Sequence, residues 1–85
     1  MIGVLLFSKK EGNVSPWAAV RGSKRVRITG MSKGDIIQIE TEGDTINALQ
    51  ADMDCSMEIP VGAVRLKATH LKVGDSPTVC VDMVI

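Results

Sequence analysis

Val26-Arg27-Ile28-Thr29-Gly30-Met31-Ser32-Lys33-Gly34-Asp35 returns in outline as Leu66-Lys67-Ala68-Thr69-His70-Leu71-Lys72-Val73-Gly74-Asp75. Thr29 matches Thr69, Gly34 matches Gly74 and Asp35 matches Asp75, while apolar Val26, Ile28 and Met31 match Leu66, Ala68 and Leu71. Each copy reads as a strand entering a tight turn, because alternating apolar and polar residues run into a Gly-Asp pair. The repeat predicts two similar β-hairpins that frame the fold.

Outward from the first copy, Arg25 to Thr29 alternates, with Val26 and Ile28 facing in and Arg25, Arg27 and Thr29 facing out. The return strand Ile36 to Thr41 puts Ile37 and Ile39 inward, so Arg27 is expected opposite Gln38 or Glu40. Glu42-Gly43-Asp44 is a further turn. Thr45 to Met53 fits a helical period through Ile46, Leu49 and Met53, and a strand through Asn47, Leu49, Ala51 and Met53. The dense turn signals around it decide for a strand. Met57 to Ile59 is a short strand stopped by Pro60, which cannot donate to a ladder. In the second copy Ala63 to Leu71 carries Val64, Leu66 and Ala68 inward, and Thr78 to Ile85 returns with Val79, Val81, Met83 and Ile85 on one face. Ser76-Pro77 lengthens this second turn.

Upstream, Ile2 to Phe7 is apolar without alternation, so a strand there needs cover on both faces. It is either an internal strand or one donated to the sheet edge of a neighbouring molecule. Ser8 to Pro16 is a polar loop, long for this chain. Trp17 to Val20 is a short extended piece, and Trp17 reads first as a core anchor, with an exposed interface anchor as the alternative. Together these elements predict an all-β, small antiparallel β-sandwich (Ig-like) of about seven to eight short strands with little or no helix.

The chain of 85 residues has room for one domain, 1–85, in which 1–16 forms a strand and arm that can serve inter-subunit contacts. Its composition is 45% hydrophobic but 2% aromatic, so the core must be aliphatic. Zero net charge argues against a protein whose task is to neutralise nucleic-acid phosphate or to sit on an anionic membrane. Residues 9–33 nevertheless hold seven bases and one acid, whereas residues 35–58 hold seven acids and no base. Either the molecule is a dipole suited to arrays, or cross-strand pairing interleaves the charges. The run Met1–Phe7 lacks the length, preceding lysines and cleavage site of a targeting signal, and no apolar run is long enough to span a bilayer. A cytoplasmic protein, or one released from a cytoplasm, is expected.

No residue set specifies a reaction. His70 is the only histidine, it stands far in sequence from Cys55 and Cys80, and it reads as a satisfied strand-end residue rather than a ligand. Asp52 and Asp54, with Glu42 and Asp44, lack the ordered spacing of a Ca²⁺ loop and read as a solvated acidic face. The two cysteines are expected to be reduced. One histidine with scattered serines supplies no nucleophile and base, so the chain reads as a non-enzyme without metal, cofactor or small-molecule substrate. A phosphate patch built from Arg21, Lys24, Arg25 and Arg27 would have only Trp17 and Phe7 for stacking bases.

Lys33-Gly34-Asp35-Ile36-Ile37-Gln38-Ile39-Glu40-Thr41 resembles a segment of the biotinyl and lipoyl carrier domains, which are small β-sandwiches with two similar halves. Glu42-Gly43-Asp44 follows where that family presents its modified lysine, so the resemblance implies architecture and no carrier function. Trp17 with Val20-Arg21-Gly22, then Arg25 to Gly30, Gly34-Asp35 before Ile37 and Ile39-Glu40, Val64-Arg65 and the valine-rich close resemble small structural proteins of tailed bacteriophage virions, of head-decoration or tail-accessory type. That resemblance implies a capsid-decorating or cement protein, assembled in a host cytoplasm, bound in many copies to a major capsid or tail protein and to copies of itself. The assembly residues expected are Ile2, Val4, Leu6, Phe7, Trp17, Arg21, Lys24, Arg25 and Arg27. The alternative is a small β-barrel adaptor or nucleic-acid-binding module using the Arg21–Arg27 basic strand.

Overall fold

The computed structural model describes residues 3–8, of which the backbone alone is considered, and residues 14–75 and 78–84. Eight strands run through them: β1 (Gly3–Ser8), β2 (Ala18–Ala19), β3 (Arg25–Thr29), β4 (Ile36–Glu42), β5 (Ile46–Ala51), β6 (Cys55–Glu58), β7 (Arg65–Lys72) and β8 (Thr78–Val84). They form two four-stranded antiparallel sheets, in the orders β1-β8-β3-β6 and β2-β7-β4-β5. The protein is a small β-sandwich. The ambiguous segment after Glu42 is strand β5, flanked by turns on both sides.

The two hairpins expected from the repeat do not close on themselves. β3 pairs with β8 and β4 pairs with β7, so each copy sends its first strand to one sheet and its return strand to the other. The copies interleave. Alternation reports which face of a strand is buried, and it is silent on which strand lies alongside. The residues between β3 and β4 make the crossing possible. Gly30 (φ 82°) and Gly34 (φ 94°) hold left-handed conformations open to glycine, and Asp35 N–H bonds Ser32 O at 3.1 Å to close a turn.

The inward rows meet between the sheets. Val26, Ile28, Val79, Val81 and Met83 come from one sheet and Ile37, Ile39, Ala51, Leu66 and Ala68 from the other, all buried, with Val20 closing one end. Full burial of an Ile or Leu here contributes about 1.5–3 kcal/mol. Trp17 stands outside this core. It lies half-buried against the second sheet beneath the Arg65 guanidinium (4.1 Å to the ring centre) and Lys67 Nζ (4.9 Å), so the aliphatic core has no aromatic anchor among the described residues. Val64, expected inward, is exposed. It precedes β7, and its backbone is occupied with Glu42 O and Val20 N–H, which turns its side chain out.

Charges interleave, resolving the two sequence readings in favour of cross-strand pairs. Arg27 Nη2 meets Asp82 Oδ2 at 3.0 Å rather than Gln38 or Glu40, because β3 lies beside β8 and not β4. Arg25 meets Glu58 at 3.8 Å, Arg65 meets Glu42 at 2.8 Å and Lys67 meets Glu40 at 3.9 Å. β1 pairs along its whole length with β8 at an edge of the first sheet, from Gly3 opposite Met83 to Ser8 opposite Thr78. Its backbone is thus part of this chain's own sheet.

Cys55 and Cys80 are free and flank β3, opposite Ile28 and Thr29 respectively. Two strand spacings put about 10 Å between them, beyond the reach of a disulfide. Burial, reinforced by Asp54 and Asp52, pushes the Cys55 thiol up from its ordinary pKa.

Candidate interaction surface at one end of the sandwich

One end of the sandwich is built from the starts of β3, β5 and β7 and the ends of β4, β6 and β8. Backbone hydrogen bonds stitch it together: Lys24 N–H to Val84 O (2.9 Å), Ile59 N–H to Lys24 O (2.9 Å), Val20 N–H to Val64 O (3.0 Å) and Val64 N–H to Glu42 O (2.8 Å). Two turns project from this frame. In Val20–Ser23, Ser23 N–H bonds Val20 O at 3.0 Å, and both central residues have positive φ, 49° at Arg21 and 80° at Gly22. An L-residue with a side chain pays about 1–2 kcal/mol for that conformation, so Arg21 is held there at a cost. In Pro60–Ala63, Ala63 N–H bonds Pro60 O at 3.2 Å and Gly62 has φ 89°, as a type II turn requires. That geometry throws Val61 outward, where it is wholly exposed.

Between the turns lies an open cleft of about 660 Å³. Val20, Ile59 and Ala63 give it an apolar floor, and Lys24, Arg25 and Glu58 stand on its lining. Ser23 Oγ is buried there without a hydrogen-bond partner among the described residues. A smaller hollow of about 30 Å³ lies on the other side of the Pro60–Ala63 turn, and Thr41 Oγ1, also buried and unpartnered, belongs to its lining. Val64, just beyond the Pro60–Ala63 turn, is exposed as well, and so is Ile46 at the start of β5. The arrangement suits contact with another macromolecule: apolar prominences for burial, cations beside them, and a cleft to receive a side chain.

The opposite end carries the repeat's turns and a polar cluster that sequence reading missed. Asp35 is buried, and its carboxylate accepts from Ser32 N–H (2.8 Å), Ser32 O–H (3.1 Å) and Gly74 N–H (2.6 Å), with His70 Nε2 at 2.8 Å. The first copy's Gly-Asp turn is thereby clamped to the second copy's strand and turn. No group of three or more His, Cys, Asp or Glu placed to hold a metal occurs among the described residues. Asp54 accepts Met31 N–H at 2.9 Å and Glu42 holds Arg65.

The residues expected at an assembly interface are dispersed. Arg21, Lys24 and Arg25 come together at the cleft end. Arg27 lies further along β3 and is held by Asp82, while Trp17 is on the other sheet. Val4, Leu6 and Phe7 stand on β1, opposite Asp82, Cys80 and Val79. Ile2 lies outside the described residues. Val61 and Ser23 were missed, although Pro-Val-Gly is a type II turn signal that exposes its second residue. No protein-family model, no curated protein and no solved structure matches this chain.

Proposed function

We propose that this protein is a structural component of a particle, a capsid-decorating or cement subunit of tailed-bacteriophage type that binds in many copies and stabilises the assembly. The observation that carries this reading is the cleft end, where wholly exposed Val61 and the cations Lys24 and Arg25 line an open, apolar-floored groove, with Arg21 on the turn that borders it. Such features serve contact between proteins. They favour that role over a phosphate-binding strand, since Arg25 and Arg27 are met by Glu58 and Asp82, and Trp17 lies on the other sheet already covered by Arg65 and Lys67.

The reading is tested by tagging the chain in its native genetic setting, purifying particles by sedimentation and counting copies by quantitative mass spectrometry. Many copies per particle are expected, with Val61→Asp reducing occupancy by about tenfold through burial of a charge in the contact. Recovery of the tagged chain solely in the particle-free fraction defeats the proposal.

A further inference from the structure

β5 forms an edge of the second sheet, paired with β4 on one side. Its sequence, Ile46-Asn47-Ala48-Leu49-Gln50-Ala51, contains no charge, proline or glycine. Proteins ordinarily protect an edge with such residues, because its unpaired N–H and C=O groups are a template for another strand. Five of the six residues are exposed.

Register shows what an added strand would cover. Asn47, Leu49 and Ala51 lie opposite Thr41, Ile39 and Ile37, and so continue the core-facing row, whereas Ile46, Ala48 and Gln50 face outward. Leu49 is on the core side yet 46% exposed, and Ile46 on the other face is 69% exposed. The interior thus runs out uncovered at this edge. One strand added beside β5 covers both residues and satisfies the edge backbone.

The flanks identify the occupant. Glu42 and Asp44 precede β5, Asp52 and Asp54 follow it, and no base lies between Asp35 and Glu58. Antiparallel pairing with a second copy about a two-fold axis normal to the sheet sets residues of the same face opposite each other, and therefore centres on a residue. Centred on Ala48 it opposes Asp44 to the partner's Asp52. Centred on Leu49 it brings Asp44 towards the acidic bend 52–54 of the partner, while Glu42 lies on β4 and takes no part. Like charges directly opposite are destabilising, so the register centred on Ala48, in the middle of β5, is disfavoured. A strand with bases at its ends reverses each of these signs. We infer that β5 is a strand-addition site for an extended segment of a different protein, a segment with an uncharged β-forming centre and Lys or Arg at both ends. Asp44 to Asp52 spans about 27 Å, which sets the segment's length at about eight residues. This inference goes beyond the particle reading and does not depend on it.

The probe is the capped peptide Lys-Lys-Thr-Val-Thr-Val-Thr-Val-Lys-Lys, compared with one carrying Glu for Lys and one with a central proline. Each is titrated into the full chain while amide shifts and hydrogen exchange are followed by NMR. The basic probe is expected to shift and protect Ile46–Ala51, and to weaken by about tenfold or more between about 50 and 500 mM salt. The acidic and proline probes are expected to bind about tenfold more weakly or worse. Ala48→Lys and Gln50→Lys, both at exposed positions, should weaken the basic probe comparably while keeping the unfolding midpoint. Equal binding of the acidic probe overturns the inference. So do shifts confined to the cleft between Val20 and Ala63, or β5 protection that appears with protein concentration alone, which would mark self-pairing.

Discussion

Asp35 and Asp75 hold the same place in the repeat, yet Asp35 is buried and Asp75 is exposed. The difference comes from their partners across the copies. His70 reaches Asp35 from the second copy, whereas the residue matching His70 in the first copy is Gly30, which has no side chain to offer Asp75. Gly74 contributes in a second way. A Cβ there would stand 2.5 Å from Lys33 O, so only glycine lets its N–H come within bonding distance of the carboxylate. Asp35→Ala should therefore lower stability by about 3 kcal/mol, because it strands buried donors that this carboxylate satisfies. Asp75→Ala should change it by about 0.5 kcal/mol or less. Urea unfolding of the two variants checks the contrast. His70 is paired through Nε2 with Asp35, a partner that was not legible, since Asp35 reads as an ordinary turn residue until the second copy is laid against it.

At the scale of elements, strand existence followed from alternation because a period of two is a local property. β3, β4, β7 and β8 fall where Val26 and Ile28, Ile37 and Ile39, Leu66 and Ala68, and Val79, Val81 and Met83 place them. Pairing is non-local, and there the hairpin expectation gave way to an interleaved repeat. β1 shows the same limit: an unbroken apolar run gives a strand but does not name its neighbour, which is β8 of the same chain. Deleting residues 1–16 should thus lower folding stability, by loss of the β1–β8 ladder and of Ser15, whose N–H bonds Ala68 O and whose hydroxyl accepts Ala68 N–H, each at 2.9 Å. Each hydrogen bond lost contributes about 1 kcal/mol. Circular dichroism during urea unfolding measures this, and an unchanged midpoint would show the segment to be a dispensable arm.

For the molecule as a whole, the segregation of bases and acids along the chain does not survive folding. The basic strand β3 lies between β6 and β8, which supply Glu58 and Asp82, and acidic β4 lies against β7, which supplies Arg65 and Lys67. Each pair has at least one partner reached by solvent, although Asp82 itself is buried, and pairs reached by solvent contribute about 0–1 kcal/mol each and are screened by salt. Raising NaCl from about 50 mM to about 1 M should accordingly shift the unfolding free energy by about 1 kcal/mol or less. Differential scanning calorimetry across that range would expose a dominant charge contribution as a much larger change. By itself the sequence determined the all-β class, the inward rows and an aliphatic core, because side-chain direction along a strand follows from local alternation. Tertiary structure alone decided the interleaving of the copies, the Asp35–His70 clamp, the cleft beside Val61 and the uncovered edge at β5. Each of these joins residues distant in sequence, and their proximity depends on which strands pair, a choice that alternation leaves open.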